Sequence, residues 1–142
     1  MEISSGNLLL SKISIHDMDF ICKIECDEKL WYFEESVQTD VNVVRNKYIS
    51  KIEESGKPRS YDFVVSIEAD RSILPIGLAQ IWSYSDYRKS WEIGFVILPE
   101  YRGEGHGSDA AKLLLKFAFE KLEAHKVVGM CNSKNIRSAA LM

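Results

Sequence analysis

Trp91-Glu92-Ile93-Gly94-Phe95-Val96-Ile97-Leu98-Pro99-Glu100-Tyr101-Arg102-Gly103-Glu104-Gly105-His106-Gly107-Ser108 reads as an apolar strand, a corner closed by Pro99, a loop with three alternating glycines, and the opening of a helix. A helix N-terminus presents unpaired N–H groups and a partial positive charge. Glycines ahead of it let the backbone approach a ligand closely and take positive φ. The combination is an anion site suited to a pyrophosphate, and Arg102 stands where it can add a charge-assisted contact. A Walker loop requires G-x-x-x-x-G-K-[ST], and the lysine is missing. A dinucleotide fingerprint requires a glycine where Ser108 stands, and no βαβ unit opens the chain. The plainer alternative is a tight strand-to-helix turn with no ligand.

Downstream, Ser108 to Leu122 is the clearest helix, with Ala111, Leu114, Leu115, Ala118 and Leu122 read as one apolar stripe. Val127 to Cys131 is a strand, and a further helix starts at Asn135. Upstream, Tyr61–Glu68 and Ile76–Ser83 form a hairpin around the polar turn Ala69-Asp70-Arg71-Ser72, and Trp91–Ile97 is a third antiparallel strand. Asn7–Ser14 reads as a strand and His16–Asp27 as a helix begun at Asp17. A second helix is capped by Thr39 or Asp40, runs to about Glu54, and stops at Ser55-Gly56-Lys57-Pro58. The order predicts a mixed α/β sheet, mostly antiparallel, flanked by helices.

Length and composition fit one domain over residues 1–142. A chain that is 46% hydrophobic and 27% charged can bury a real core. With 18 basic and 21 acidic residues the net charge is −3, which does not favour nucleic acid as a partner. Leu8-Leu9-Leu10 is too short for a membrane span or an export signal. Cys22, Cys26 and Cys131 lack C-x-x-C spacing, and His16, His106 and His125 form no ligand pair, so no metal is expected. Buried thiols in a reducing cytosol are the expected state.

The spacing Arg102-x-x-Gly105-x-Gly107 resembles the [QR]-x-x-G-x-[GA] signature of the GNAT acetyltransferase superfamily, whose loop holds the pyrophosphate of acetyl-coenzyme A. Ile93–Ile97 before Pro99, Lys116–Leu122 after the loop, and the tail from Cys131 to Met142 with its N-x-x-S-x-x-[LV]-[LM] pattern are similar to the RimJ/RimL branch of ribosomal-protein N-terminal acetyltransferases. The resemblance implies an acyl-CoA N-acyltransferase fold. It also implies acetyl-CoA as co-substrate and an amine as acceptor. Phe95, Val96 and Ile97 would pair with the pantetheine arm, and Arg102, Gly103, Glu104, Gly105, His106 and Gly107 would hold the pyrophosphate. Asn135 would bond the cofactor's amide region, and Ser138 would lie near the thioester sulfur. Relatives of this type continue past the Leu-Met position with two further strands. The domain is therefore expected to be C-terminally incomplete, with a sheet edge open to a homodimer.

Acetyl transfer needs a neutral amine, and a carboxylate acting through water can take its proton. Glu92 is the candidate base; strand alternation sets it on the face opposite Trp91, Ile93 and Phe95. The alternative is a strand-end glutamate paired with a lysine. Glu100 and Glu104 read better as solvated loop charges. A backbone N–H near Phe95 or Val96 can stabilise the oxyanion. Ser138 is the candidate donor to the leaving thiolate, or a plain helix-start serine; Asn135 serves equally as an N-cap. The aromatic-acidic run containing Trp31, Tyr32, Glu34 and Glu35, together with Trp82, is the candidate acceptor surface, able to hold a cationic amine by charge and cation–π contact. It resembles a stretch of spermidine acetyltransferases; the alternative is aromatics in the core and acids in solvent. A polyamine or antibiotic acetyltransferase, or a coenzyme A-binding module without catalysis, are the competing functions.

Overall fold

The computed structural model describes residues 2–27, 39–53, 60–85 and 89–129. They form one six-stranded sheet in sequence order: β1 (Glu2–Ser5), β2 (Leu8–Lys12), β3 (Ser60–Ala69), β4 (Ser72–Ser85), β5 (Ser90–Ile97) and β6 (Lys126–Gly129). Every neighbouring pair is antiparallel except β5 and β6, which run parallel because α3 (His106–Lys121) carries the chain back between them. The helices α1 (Met18–Glu25) and α2 (Val41–Glu53) precede β3. Among the described residues no helix is long and apolar enough to cross a membrane.

The sheet separates two apolar clusters. On one face α3 packs Ala110, Leu113, Leu114, Phe117 and Ala118 against Leu8, Leu10, Phe63, Val65, Ile81, Ile93 and Ile97. Phe117 meets the rings of Tyr61 and Phe63 edge-on at 5.1 and 5.4 Å. On the other face α1 and α2 bring Met18, Ile21, Ile24, Val44 and Tyr48 onto Val64, Leu78 and Val96. The two-residue turn Asp70-Arg71 between β3 and β4 has φ 49° and 64°, the left-handed pair whose twist suits a hairpin.

Four sequence expectations change. A strand, β1, precedes the first expected one, joined through Gly6-Asn7 with Gly6 at φ 59°. Its single apolar residue, Ile3, gives no alternation to read, although Gly-Asn is itself a hairpin-turn signal. The expected strand Asn7–Ser14 contracts to Leu8–Lys12 because Gly6-Asn7 turns the chain and Ser14 opens the turn into α1, its N–H donating to Asp17 Oδ2 at 2.9 Å. β4 begins at Ser72 rather than Ile76, passing Pro75 where the β3–β4 register shifts and before β5 starts to pair at Gly77. The α3 helix starts at His106 rather than Ser108, and its buried stripe is Ala110, Leu113, Leu114, Phe117 and Ala118; Leu115 and Phe119 are exposed. The aromatic edge of Phe117 against β3 sets the rotation of the helix, which hydrophobic spacing alone left open. Other boundaries agree closely, and Asp40 caps α2 through Asn42 N–H at 2.9 Å. Ser55–Pro58, the expected end of the Val127–Cys131 strand and the helix expected from Asn135 lie outside the described residues.

Candidate active site

Two features of β5 and the loop after it bear on ligand binding. The first is the side of β5 that faces β6. Among the described residues β6 pairs with β5 from Ser90↔Lys126 to Ile93↔Gly129. Lys89 O accepts from His125 N–H at 3.0 Å on the β6 side, and Leu98 N–H donates to Ile76 O at 2.8 Å on the β4 side. Strand alternation therefore turns the main-chain groups of Phe95 and Ile97 to the β6 side of β5, and those of Val96 toward β4. Of the three residues expected along the pantetheine arm, Phe95 and Ile97 thus share one side of the strand and Val96 faces the other. The Ile97 carbonyl already accepts from Arg102 Nε at 3.0 Å, which ties the loop to the strand end.

The second feature is the start of α3. Gly103 and Gly105 have φ 85° and 84°, conformations that L side chains rarely adopt. Gly105 is the N-cap, and the first intrahelical bond runs from Asp109 N–H to Gly105 O at 3.0 Å. The amides of His106, Gly107 and Ser108 are thus the outward-pointing donors of the helix start. The last glycine of the signature falls inside the first turn, so its role is to keep that turn bare of side chain. A Cβ on Gly103 or Gly105 would meet nothing within 4 Å, so their surroundings are open. The His106 side chain is buried and sits 3.0 Å from Glu104 Oε2, so His106 and Glu104 brace each other and leave the loop's backbone as the anion-facing part. Arg102 is exposed beside this loop, as is Glu100. A diphosphate fits this donor set: bare amides and a helix dipole with a guanidinium at the rim.

Glu92 lies on the sheet face shared with α1 and α2, as alternation required, three residues before Phe95. It is the cross-strand partner of Trp82, whose indole Nε1–H donates to Glu92 Oε2 at 2.8 Å. The alternative reading paired Glu92 with a lysine; among the described residues its partner is the Trp82 indole.

Sequence reasoning missed a polar network on the same face, one register row away. Gln80 Nε2 donates to Tyr48 Oη at 2.9 Å and to Asp62 Oδ1 at 2.8 Å, while Lys51 Nζ lies 3.1 Å from Asp62 Oδ1. Asp62 is almost wholly buried, which its two donors make tolerable. Burial pushes the Glu25 carboxyl up, against the pull of Lys47 and of a hydrogen bond from Tyr48. Burial likewise pushes the Tyr48 phenol well above its ordinary range, helped by the charges of Glu25 and Asp62. These five residues come from four elements, and apart from Tyr48 and Lys51 on α2 no local spacing links them. Burial also raises the thiols of Cys22 and Cys26. Trp31, Tyr32, Glu34, Glu35, Asn135 and Ser138 lie outside the described residues.

Residues 7–142 match the family model described as the acetyltransferase (GNAT) domain. The chain is 25% identical over 143 residues to the uncharacterized N-acetyltransferase YnaD of Bacillus subtilis (strain 168), covering all of this chain and 79% of that protein. Its fold is similar to an acetyltransferase (GNAT family) from Bacillus anthracis, with a TM-score of 0.82 at 22% identity over 100% of this chain and 80% of that one. It is also similar to spermidine N-acetyltransferase from Vibrio cholerae in complex with CoA and spermine, with a TM-score of 0.75 at 23% identity over 96% and 78% of the two chains. A family match spanning nearly the whole sequence, on a fold of this kind, makes this chain a member of the GNAT family of acetyl-CoA-dependent N-acetyltransferases.

Proposed function

We propose that this chain transfers the acetyl group of acetyl-CoA to a primary amine, either the α-amine of a peptide N-terminus, as the RimJ/RimL likeness implies, or the amine of a small molecule. Donor and acceptor are bound together and the amine attacks directly. The observation that carries this reading is the α3 N-terminus, opened by Gly103 and Gly105 in the left-handed region directly after β5. One continuous segment thereby offers a strand for an extended pantetheine and amides for a diphosphate.

The amides around Gly103–Ser108 hold the diphosphate, with Arg102 at the rim. Phe95 and Ile97 align the pantetheine, and Asn135 and Ser138 take the amide and sulfur contacts that the family pattern implies. Glu92 accepts a proton from the ammonium form of the acceptor, directly or through water, giving a neutral amine and a carboxylic acid. The amine lone pair then forms the C–N bond to the acetyl carbon as the C–S bond breaks. Sulfur leaves with the electron pair and takes a proton, the new amide sheds one, and Glu92 returns its proton to solvent. An α-amine, with an ordinary pKa of about 8, asks less of such a base than an alkyl amine near 10.4.

A second reading is a polyamine acceptor. It is favoured by the likeness to the Vibrio cholerae enzyme solved with spermine and by the acids Glu34 and Glu35 among aromatics. Thiol release from acetyl-CoA, measured with N-terminally free peptides and with spermidine, separates the two. Glu92→Gln is expected to lower the rate by about 10²–10⁴-fold at neutral pH, the usual scale of general-base catalysis, with partial recovery at higher pH. An unchanged pH–rate profile removes Glu92 as base. Coenzyme A binding without turnover on any amine rejects the transfer reaction for this chain.

A further inference from the structure

We infer that Trp82 is the positioning residue for the Glu92 carboxylate, and that Gly94 is glycine because the Trp82 ring must lie on it. This deepens the reading of Glu92 as base and rests on it.

Three observations meet here. Trp82 and Glu92 are direct cross-strand partners on β4 and β5, so the sheet register itself brings them together. The indole Nε1–H donates to Glu92 Oε2 at 2.8 Å, and both residues are half-buried, where a fixed hydrogen bond is not freely exchanged for water. The six-membered part of the same indole crosses to residue 94: a Cβ there would stand 3.2 Å from Cη2 and 3.4 Å from Cζ3. The ring therefore spans two positions of β5, seated on Gly94 at one end and holding the carboxylate at the other.

An indole suits this task. It donates one hydrogen bond and accepts none, so it cannot take the proton Glu92 must take, and it carries no charge. With Oε2 held, Oε1 is the oxygen that receives the proton from the amine. A glutamate side chain has three rotatable bonds; fixing one oxygen removes most of that freedom and pre-orients the other. A lysine partner would hold the carboxylate too, but its ammonium would repel a cationic acceptor. The sequence placed Trp82 at the acceptor cleft; its N–H is committed to the Glu92 carboxylate.

The test is a set of steady-state rates and pH profiles for Trp82→Phe, Glu92→Gln, the double variant and Gly94→Ala, with coenzyme A affinity and melting temperature as controls for folding. Trp82→Phe keeps the ring and deletes the N–H. Losing a hydrogen bond to a charged group predicts a fall in kcat of roughly 10- to 100-fold, an altered pH profile, and an unchanged KM for acetyl-CoA. On the Glu92→Gln background the same change is expected to cost little more, because the group it positions is already gone. Gly94→Ala pushes the ring by a few tenths of an ångström and should give a smaller loss of the same kind; it carries the test if Trp82→Phe does not fold. A wild-type kcat and pH profile for both Trp82→Phe and Gly94→Ala, alongside an impaired Glu92→Gln, overturns the positioning role and leaves the base intact. Full additivity in the double variant also overturns it, since Trp82 would then act apart from Glu92. If Glu92→Gln itself is unimpaired, the base assignment fails and takes this proposal with it.

Discussion

Replacing Gly105 by alanine puts an L side chain at φ 84°, ψ 4°, directly before the first residue of α3. The left-handed conformation costs an L-residue about 1–2 kcal/mol. The new Cβ meets nothing within 4 Å, so no steric clash adds to that. Alanine also stiffens the unfolded chain, which offsets about 0.4–1 kcal/mol. The net loss is then about 1 kcal/mol, a fall in Tm of roughly 3–5 °C for a domain of this size. Coenzyme A binding should respond more strongly. To relieve the strain the backbone rotates out of the left-handed region. That swings the Gly105 carbonyl off Asp109 N–H, and with it the amides that follow. Misdirecting one hydrogen bond to a charged group costs about 1.5–3 kcal/mol, so affinity should drop at least roughly tenfold. Gly105→Asn is the control, because asparagine tolerates this conformation; it should retain most of both stability and affinity. Calorimetric titration with coenzyme A and thermal unfolding by circular dichroism read the two quantities separately. Wild-type affinity in Gly105→Ala, despite the expected loss of stability, would refute the assignment of these amides to the diphosphate.

Phe117→Ala should destabilise the domain by about 3–5 kcal/mol, since the ring is nearly fully buried and edge-on to both Tyr61 and Phe63; a urea midpoint close to wild type would show that α3 does not pack through it. The pH dependence of stability should carry a mark of Glu25. Burial raises its carboxyl in the folded state, so the folded chain binds more protons than the unfolded one between the ordinary carboxylate range and the raised value. Stability from this group is full below that window and is lost as pH rises through it. Glu25→Gln should therefore lose less stability than wild type on going from pH 4 to pH 7, as read by urea unfolding at each pH; parallel curves would remove Glu25 as the cause.

The sequence was most informative where function depends on local backbone chemistry. Gly103, Gly105 and Gly107 spell out a bare helix start without any knowledge of what packs around it, and alternation along β5 alone set Glu92 apart from Trp91 and Ile93. The antiparallel order of β3, β4 and β5 followed in the same way from periodicity and turn residues. The face of α3 did not, because several stripes of that helix are apolar and only the contact of Phe117 with Tyr61 and Phe63 selects among them. Nor did the division of labour along β5, where hydrogen bonds at its two ends decide that Phe95 and Ile97 turn to the β6 side and Val96 to β4.

What the amino-acid order determined by itself, then, is the glycine-bearing loop at the helix start and the strand that leads into it, since both arise from conformational limits on single residues and their near neighbours. Only the tertiary structure decided that an indole from β4 holds the Glu92 carboxylate, and that Lys51, Asp62, Gln80, Tyr48 and Glu25 share one network. Those contacts join residues up to tens of positions apart, and they exist because sheet register and helix packing bring them within hydrogen-bond reach.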